Sequence, residues 1–428
     1  MFSQHYCRES HFSRRGLSLE SLRRGSFSSV WARVVCSILV VFVGFLSACA
    51  PRIDTVRFSD VSLRDVVAVF SVNPQHEDEV RRAGGYVVFL RKDGSYAAVK
   101  TAGMAYQQPL WTRNGLYFAD FKNDYFIGEK SRDVRRNDKA LFQNLTLETP
   151  QKSVMGIFDM GFDTDTDNRL QLIPLSSSGE TRVVYSGILS SAAYCGKNLW
   201  GIREEGANQD FAGSGYLDLR NYSDSRQKVL SYDVRKSGFV VQSMRGTACL
   251  SDSQFLTIIS KNKNEYYINP YVLKWDIRTD KRTIYPIRYS NGEKLTISNT
   301  TVDYNEKAIS DDGMLTVVMD ASGKVVQVDM DTGIIRRQVM LTKLPKGLSD
   351  GDKLQYKYVL LPTDRYYCIM RIRYGQAGKR TPTRLYFVGK RTWKVERVLT
   401  LNEDLSRILK GQREPYVFNE GVAVNPRI

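Results

Sequence analysis

Two strand modules alternate along most of the chain, and this alternation constrains the fold more than any other feature of the sequence. The first module is an apolar strand, a tight polar turn and a second apolar strand. Its copies are PLWTRNGLYFAD (109–120), AAYCGKNLWGI (192–202), TACLSDSQFLTII (247–259), KAISDDGMLTVVMD (307–320) and VLLPTDRYYCIMRI (359–372). The second module is a hairpin with an aspartate or basic turn. Its copies are GYVVFLRKDGSYAAVK (85–100), RLQLIPLSSSGETRVVY (169–185), VLSYDVRKSGFVV (229–241), VLKWDIRTDKRTI (272–284), VVQVDMDTGIIRRQV (325–339) and RLYFVGKRTWKVERV (384–398).

One copy of each module makes a four-stranded antiparallel unit of about 40–60 residues, which is the size of a propeller blade. A single sheet of this kind cannot bury both of its faces, whereas blades stacked around an axis bury them against each other. The sequence therefore predicts an all-β fold, a β-propeller of four-stranded antiparallel blades. An open β-sandwich or two small β domains would use the same strands and stay as the alternative.

The two ends of the repeat region complement each other. Hairpin 85–100 lacks a preceding strand-turn-strand module, and YVFNEGVAVN at 416–425 is such a module with no hairpin after it. Joining the two makes one blade from N- and C-terminal strands, which closes a ring of six blades. Seven blades are the alternative, because the unit over 109–185 is too large for one blade.

Two of the turns carry a family resemblance. The sequences SDDGML at 310–315 and VDMDTG at 328–333 resemble the blade motifs of the YVTN-like and quinoprotein-like β-propellers, a WD40-like group. The likeness extends over most of 85–428. It implies a fold and not an activity, because many functions share this fold.

The N-terminal segment predicts a lipoprotein signal. Residues 34–48 carry no charge and follow several arginines, and this apolar run is too short for a bilayer, which needs about 20 residues. Leu46-Ser47-Ala48-Cys49 resembles the lipobox of bacterial lipoproteins. The resemblance implies cleavage between Ala48 and Cys49 and a lipid on the Cys49 thiol, which with further acyl chains such as palmitate anchors stably. An ordinary cleaved signal is the alternative.

These observations predict three regions. They are a signal peptide over 1–48, a lipidated tether over 49–84 with a short helix near 61–69, and a propeller over 85–428. The expected location is the extracytoplasmic face of a cell membrane.

Histidine and charge restrict the chemistry. Residues 49–428 contain one histidine, His76, and zinc sites or Ser-His and Cys-His pairs need a placed imidazole. We therefore expect no catalytic residues and no cofactor. The same residues carry a net charge of +12, spread along the chain rather than clustered, which favours anionic lipid or polymer over nucleic acid as surroundings.

The long connecting segments predict a binding face. In a propeller, the loops between second and third strands and those between blades share one face, and loops on a rigid scaffold often carry binding residues. The long segments on that face are 128–153, 203–216, 260–270, 286–305, 342–356 and 373–383. Tyrosine and arginine dominate binding hot spots. The candidate residues are therefore Tyr266, Tyr267, Tyr271, Arg373, Tyr374, Lys379 and Arg380. The alternative is that these loops only cover the strand ends.

Two smaller signals concern metal and sulfur. Asp163, Asp165 and Asp167 place alternating oxygens as a Ca²⁺ loop would, but the position for the bidentate glutamate is a proline, so a solvated acidic loop is the alternative. Cys195 and Cys249 occupy similar places in consecutive blades, which makes them a candidate disulfide if their Cα atoms come within about 7 Å. Cys368 is expected to be a buried thiol.

Three functions fit to different degrees. The leading hypothesis is a non-catalytic binding or scaffold propeller, a monomeric ring that engages an envelope protein or an anionic cell-wall polymer. A propeller enzyme is the alternative, either a quinone-dependent dehydrogenase or a glycan-active lyase or hydrolase. A ligand-binding lipoprotein of an importer would need alternating strands and helices, which the sequence lacks.

Overall fold

Seven separate antiparallel sheets make up the described part of the chain, and each sheet is one propeller blade. The computed structural model describes residues 55–428 except 75–76, 105–106, 137–139, 141, 163–167, 176–180, 187, 205–215, 225–227, 235, 242–245, 265, 299–305, 319–322, 343–348, 350–355, 374–382 and 402–415. All of the described residues belong to one unit, Ile53–Ile428.

The strands follow one another in chain order from blade to blade. The first four blades contain β1 Val66–Pro74, β2 Gly85–Arg91 and β3 Tyr96–Thr101 (blade 1); β4 Leu110–Trp111, β5 Leu116–Ala119, β6 Asn123–Ile127 and β7 Arg132–Arg135 (blade 2); β8 Phe142–Glu148, β9 Val154–Phe162, β10 Asn168–Pro174 and β11 Arg182–Ser186 (blade 3); β12 Ile188–Cys195, β13 Asn198–Glu204, β14 Tyr216–Asn221 and β15 Val229–Asp233 (blade 4). The other strands are β16 Val240–Val241, β17 Thr247–Ser251, β18 Gln254–Asn262, β19 Tyr267–Asp276, β20 Lys281–Pro286 and β21 Ile297–Ser298 (blade 5); β22 Met314–Val318, β23 Lys324–Asp329 and β24 Ile335–Met340 (blade 6); β25 Tyr356–Pro362, β26 Tyr366–Arg373, β27 Arg384–Gly389 and β28 Val395–Thr400 (blade 7); and β29 Tyr416–Val424.

The C-terminal strand closes the ring. β29 pairs with β1, which gives blade 1 the order β29-β1-β2-β3. The prediction that strands from both chain ends close the ring is confirmed, although β1 lies between β29 and the hairpin. The tether predicted over 49–84 is too long, and the helix near 61–69 is wrong, because all nine residues of β1 are buried. Its sequence VVAVFSV is rich in β-branched residues, which favour strands.

The predicted number of blades, six, is wrong, and the alternative of seven is correct. The oversized unit 109–185 is two blades, because β6 and β7 complete blade 2 while β8 and β9 begin blade 3. Segment 128–153, expected to be a long loop, contains β7 and β8. β7 has the sequence RDVR with all four residues exposed, so it carries no apolar signature.

The hairpin predicted over 229–241 is also wrong. The segment 229–241 was expected to be a hairpin of one blade, but it holds β15, the outer strand of blade 4, and β16, which belongs to blade 5. The third strand of blade 4 is β14, which pairs with both β13 and β15. Its sequence, YLDLRN, contains only two buried leucines, Leu217 and Leu219. The strand pattern is therefore weaker here than in the other hairpins.

The first strand of each blade lies next to the ring axis. β29 contacts β25 and β4, and β12 contacts β8 and β17, so the first strands of neighbouring blades meet. The chain then leaves the axis strand by strand. This order defines a turn face, where first strands turn into second and third into fourth, and a loop face at the other ends of the strands. The DDG turn that ends at Gly313, with φ of 76°, lies on the turn face.

Alternate residues of each blade face the two neighbouring blades. In β26, Ile369 packs in the core shared with blade 6, whereas Cys368 and Met370 pack in the core shared with blade 1. Both faces of every blade are therefore covered, which explains why the strands are apolar at consecutive positions rather than at every second one.

Basic side chains also join neighbouring blades around the outside. Four residues in or beside outer strands donate hydrogen bonds to carbonyls that follow the third strand of the next blade. We call these four residues the rim clasps: Arg132 to Leu175 (3.4 Å), Arg182 to Ser223 (3.2 Å), Lys228 to Ile277 (3.0 Å) and Arg397 to Lys92 (2.8 Å).

Helices are a minor part of the structure. The described residues contain one α-helix, α1 Glu77–Ala83, and the short 3₁₀ helices Phe58–Asp60 and Glu306–Ala308. Within the described ranges, no helix has the length and apolar character needed to cross a membrane.

Candidate functional site

The second and third strands of blade 5 extend the loop face. The residues between them form a tight turn, in which Lys263 N–H donates to the Tyr267 carbonyl at 2.9 Å. The Asn264 side-chain oxygen accepts from the Tyr266 and Tyr267 amides at 3.0 and 2.8 Å. β21 pairs with the start of β19 and supports this hairpin from outside. The long loop expected over 260–270 is therefore wrong, because most of it is strand.

The three predicted tyrosines of blade 5 have different surroundings. Tyr266 lies at the tip of the hairpin and is 39% exposed. Tyr267 is half-buried at the start of β19. Tyr271 packs edge-on against Phe239, with ring centroids 5.0 Å apart, in the core between blades 4 and 5. Lys261 Nζ lies 4.5 Å from the centroid of the Phe239 ring, so the tip of blade 5 combines cationic and aromatic groups.

Of the four predicted residues of blade 7, the structure describes one. Arg373 is the last residue of β26 and pairs with Tyr356 of β25. Tyr374, Lys379 and Arg380 lie outside the described residues. The structure thus places Arg373 at the strand end of blade 7 that corresponds to the blade 5 hairpin tip, with blade 6 between the two blades.

Two arginines that sequence reasoning missed lie next to this strand end. Arg371 is 5% exposed, and its guanidinium carbon lies 5.8 Å from the Tyr356 ring centroid and 6.0 Å from that of Tyr386. Arg371 pairs directly with Arg384 in the neighbouring strand. The signal was present in the sequence, because YYCIMRIR places an arginine two residues after the buried Ile369. We call the following residues the blade 6–7 cluster: Tyr356, Tyr358, Arg371, Arg384 and Tyr386.

The blade 6–7 cluster faces blade 6. Tyr356, Tyr358 and Tyr386 belong to the core that also contains Val317 and Val325 of blade 6. Gly323 approaches so closely that a Cβ there would lie 2.9 Å from the Tyr358 ring. The cluster therefore lies at the loop-face end of the seam between two blades.

The described cysteines lie in blades 4, 5 and 7. Cys195 and Cys249 are joined in a disulfide with Cα atoms 5.2 Å apart, between the first strands of blades 4 and 5. Cys368 is a free, buried thiol, and burial raises its pKa to about 12. A thiol of that pKa has almost no thiolate at neutral pH, and the thiolate is the form that reacts.

The predicted calcium residues Asp163, Asp165 and Asp167, like His76, lie outside the described residues. In the part of the chain that the structure describes, no three histidine, cysteine, aspartate or glutamate side chains come together as a metal site would require.

Comparisons with known proteins give only distant likenesses. No protein-family model matches the sequence, and no curated protein matches it. Among solved structures, the chain is similar to apo AztD from Citrobacter koseri, with 9% identity, a TM-score of 0.42 and coverage of 84% of this chain and 98% of that one. A Synechocystis apocarotenoid oxygenase mutant has 6% identity, a TM-score of 0.47 and coverage of 79% and 90%. An acylaminoacyl peptidase from Pyrococcus horikoshii has 12% identity, a TM-score of 0.45 and coverage of 84% and 53%.

The class of this protein therefore follows from its own strand pairing. Seven blades of antiparallel strands, closed by the C-terminal strand, define a seven-bladed β-propeller. The TM-scores below 0.5 carry no argument about function, and the three structures differ in what their names describe.

Proposed function

We propose that the protein is a lipid-anchored, extracytoplasmic propeller that binds an envelope protein or anionic polymer through its loop face without catalysing a reaction. The observation that supports this proposal is the difference between the two faces of the ring. On the loop face, blades 5 and 7 carry cationic and aromatic side chains, and Tyr266 is exposed there.

The turn face repeats one chemistry from blade to blade, whereas on the loop face the similar capped turn at Asn264 presents the exposed Tyr266. Side-chain oxygens accept backbone N–H groups two residues further on in Asp93, Asn221, Asp276 and Asp329. Such turns satisfy their own polar groups and need no partner. The loop face is therefore the surface that we assign to binding.

The lipid would hold the ring close to the membrane. Six peptide units separate Cys49 from Thr55, and they reach at most about 20 Å when fully extended. Thr55 forms a bridge with Ala98 in the outer strand of blade 1. A lipid on Cys49 would thus keep the outer edge of blade 1 beside the membrane surface, whereas a tether as long as 49–84 would not.

Replacement of the lipid-accepting cysteine tests the anchor. We expect Cys49→Ala to abolish incorporation of labelled fatty acid and to leave the precursor uncleaved, because no other thiol stands at the cleavage site. Cys36→Ala, inside the apolar run, is the matched control and should label normally. Labelling of the Cys49→Ala variant would contradict the anchor.

Site-specific crosslinking tests the binding face. A photoreactive residue at position 266 should give a discrete adduct in cells, identified by mass spectrometry. The same residue at position 197, an exposed site in a turn between first and second strands, should give none. Adducts at both positions, or at neither, would overturn the assignment of binding to the loop face.

A further inference from the structure

We propose that the blade 6–7 cluster binds a phosphate group. The inference rests on the proposed function, which assigns binding to the loop face, and it adds the chemical class of the ligand. The oxygens of the phosphate would accept hydrogen bonds from Arg384 and Tyr386, and its charge would lie beside Arg371.

Unmet hydrogen-bond donors point to a missing acceptor. Arg384 Nε and Tyr386 Oη are both buried, and neither has a hydrogen-bond partner among the described residues. A buried donor without an acceptor destabilises a folded protein, and a charged donor does so more strongly. An oxyanion that enters from the loop face would supply an acceptor to both groups.

The charge of the cluster indicates an anion. Arg371 and Arg384 are directly opposite each other in neighbouring strands, where side chains start about 5 Å apart. Their two positive charges therefore lie on the same face of blade 7, and Arg371 is 5% exposed, so little water screens its charge. A doubly charged anion at this end of the seam would be attracted by both guanidinium groups.

The tyrosine walls make the cluster rigid. Tyr356, Tyr358 and Tyr386 are 2%, 6% and 1% exposed, so their rings are fixed in the core of blades 6 and 7. Gly323 lies so close to the Tyr358 ring that a Cβ at this position would be 2.9 Å from it. A ligand therefore meets donors that are already in place, which lowers the entropic cost of binding.

The donor set favours phosphate over carboxylate. Guanidinium groups bind both, but two positive charges beside the unmet donors of Arg384 and Tyr386 match a phosphate better than a carboxylate, which carries one charge. A phosphate carries up to two negative charges and more acceptor oxygens. Free phosphate, a phosphodiester polymer and a phospholipid headgroup all present this group.

Inorganic phosphate is the first probe. We expect phosphate, added to the full-length protein in mild detergent at constant ionic strength, to raise the unfolding midpoint in a saturable way, because a ligand of the native state stabilises it. Acetate at the same ionic strength should not. An equal response to phosphate and acetate would overturn the proposal.

Two variants and a control locate the binding. Arg384→Gln should weaken phosphate binding at least tenfold by calorimetry, and Tyr386→Phe by about threefold, the size expected from one neutral hydrogen bond. Arg391→Gln is the control, because Arg391 is exposed in a turn at the opposite end of blade 7. Wild-type affinity in the Arg384→Gln variant would sink the proposal. If that variant does not fold, Tyr386→Phe decides, since it removes a single oxygen.

Competition then identifies the source of the phosphate. A glycerol-phosphate polymer or vesicles with phosphatidylglycerol should displace inorganic phosphate if they present it to the site, and failure of both assigns the site to free phosphate. The two proposals fail separately. Loss of phosphate binding with the position-266 adduct retained would remove only this inference, and phosphate binding without that adduct would remove only the proposed partner.

Discussion

The rim clasps and the blade 6–7 cluster are both built from basic residues, but their hydrogen bonding differs. Each rim clasp donates to a carbonyl of the next blade at 2.8–3.4 Å. In the cluster, Arg384 Nε is buried and has no acceptor in the described part of the chain. For these two sets of residues, the supply of acceptors and not positive charge separates the groups that join blades from the group that keeps an unmet donor.

The rim clasps show that part of the net positive charge has a structural role. The chain carries a formal charge of +16, which the sequence alone relates to anionic surroundings. Several of the charges join blades instead, so they would be needed in any surroundings. Charge reversal across the whole surface would therefore unfold the protein as well as change its partners.

The largest effect is expected at Arg136, whose side chain is buried between blades 2 and 3. It forms an ion pair with Asp124, is 5% exposed, and lies 4.1 Å above the Phe158 ring of blade 3. We expect Arg136→Gln to lower the free energy of unfolding by about 3 kcal/mol, because Asp124 keeps an uncompensated charge. Urea unfolding measures this, with the exposed neighbour Arg135→Gln as control. A loss below about 1 kcal/mol would show that charge between blades is dispensable.

A smaller loss is expected at Arg282, which joins blades 4 and 5. Its guanidinium donates to the Ser231 carbonyl at 2.9 Å and lies 5.1 and 5.2 Å from the Tyr232 and Trp275 rings. Arg282→Gln should cost about 1.5 kcal/mol, and Arg282→Lys should recover less than half of it, because lysine lacks the planar fork. Full recovery by lysine would mean that charge alone holds this contact.

The cluster should behave in the opposite way. In phosphate-free buffer, Arg384→Met should leave the free energy of unfolding unchanged or raise it by up to about 1 kcal/mol, because it removes a buried unmet donor. Arg397→Met, which removes a rim clasp, should lower it by about 1 kcal/mol. Thermal and urea unfolding compare the two variants. An equal loss in both would erase the distinction between them.

The smallest effect is expected at the ion pair between Asp329 and Arg336, where the cost of a substitution should depend on pH. Burial works to raise the pKa of Asp329, but hydrogen bonds from Arg336, the Asp331 amide and Thr332 outweigh it and hold the pKa below the ordinary value. The ion pair therefore stabilises the protein above the unfolded pKa and loses this contribution as pH falls through the folded pKa. Arg336→Gln should cost about 0.5 kcal/mol at pH 7 and nothing near pH 2. A cost that does not change with pH would rule out the ionic origin.

The fold was predictable because the blades repeat. Apolar runs such as β26 and hairpin turns such as the one before Gly333 recur, and the recurrence predicts sheets that pack face to face. The number of blades was missed because β7 consists of exposed polar residues, which no burial pattern reveals. β1 was missed because its partner is β29, a strand from the other end of the chain.

The candidate site was predictable only as a surface. The sequence identifies Tyr266 on the loop face, but Tyr271 differs from it only in packing, which sequence does not show. Arg371 and Arg384 lie in strands that the repeats assign to the scaffold. Their proximity depends on the register between β26 and β27. Whether their donors find acceptors depends on which side chains of blade 6 pack against them.

The pairing of β29 with β1 has a consequence for synthesis. A chain that ends before Tyr416 leaves one edge of β1 unpaired. It also leaves one side of the core between blades 7 and 1 uncovered. Open strand edges attract other chains and proteases. Translation must therefore pass Val424 before the ring can close, and shorter products keep an open edge that proteases recognise.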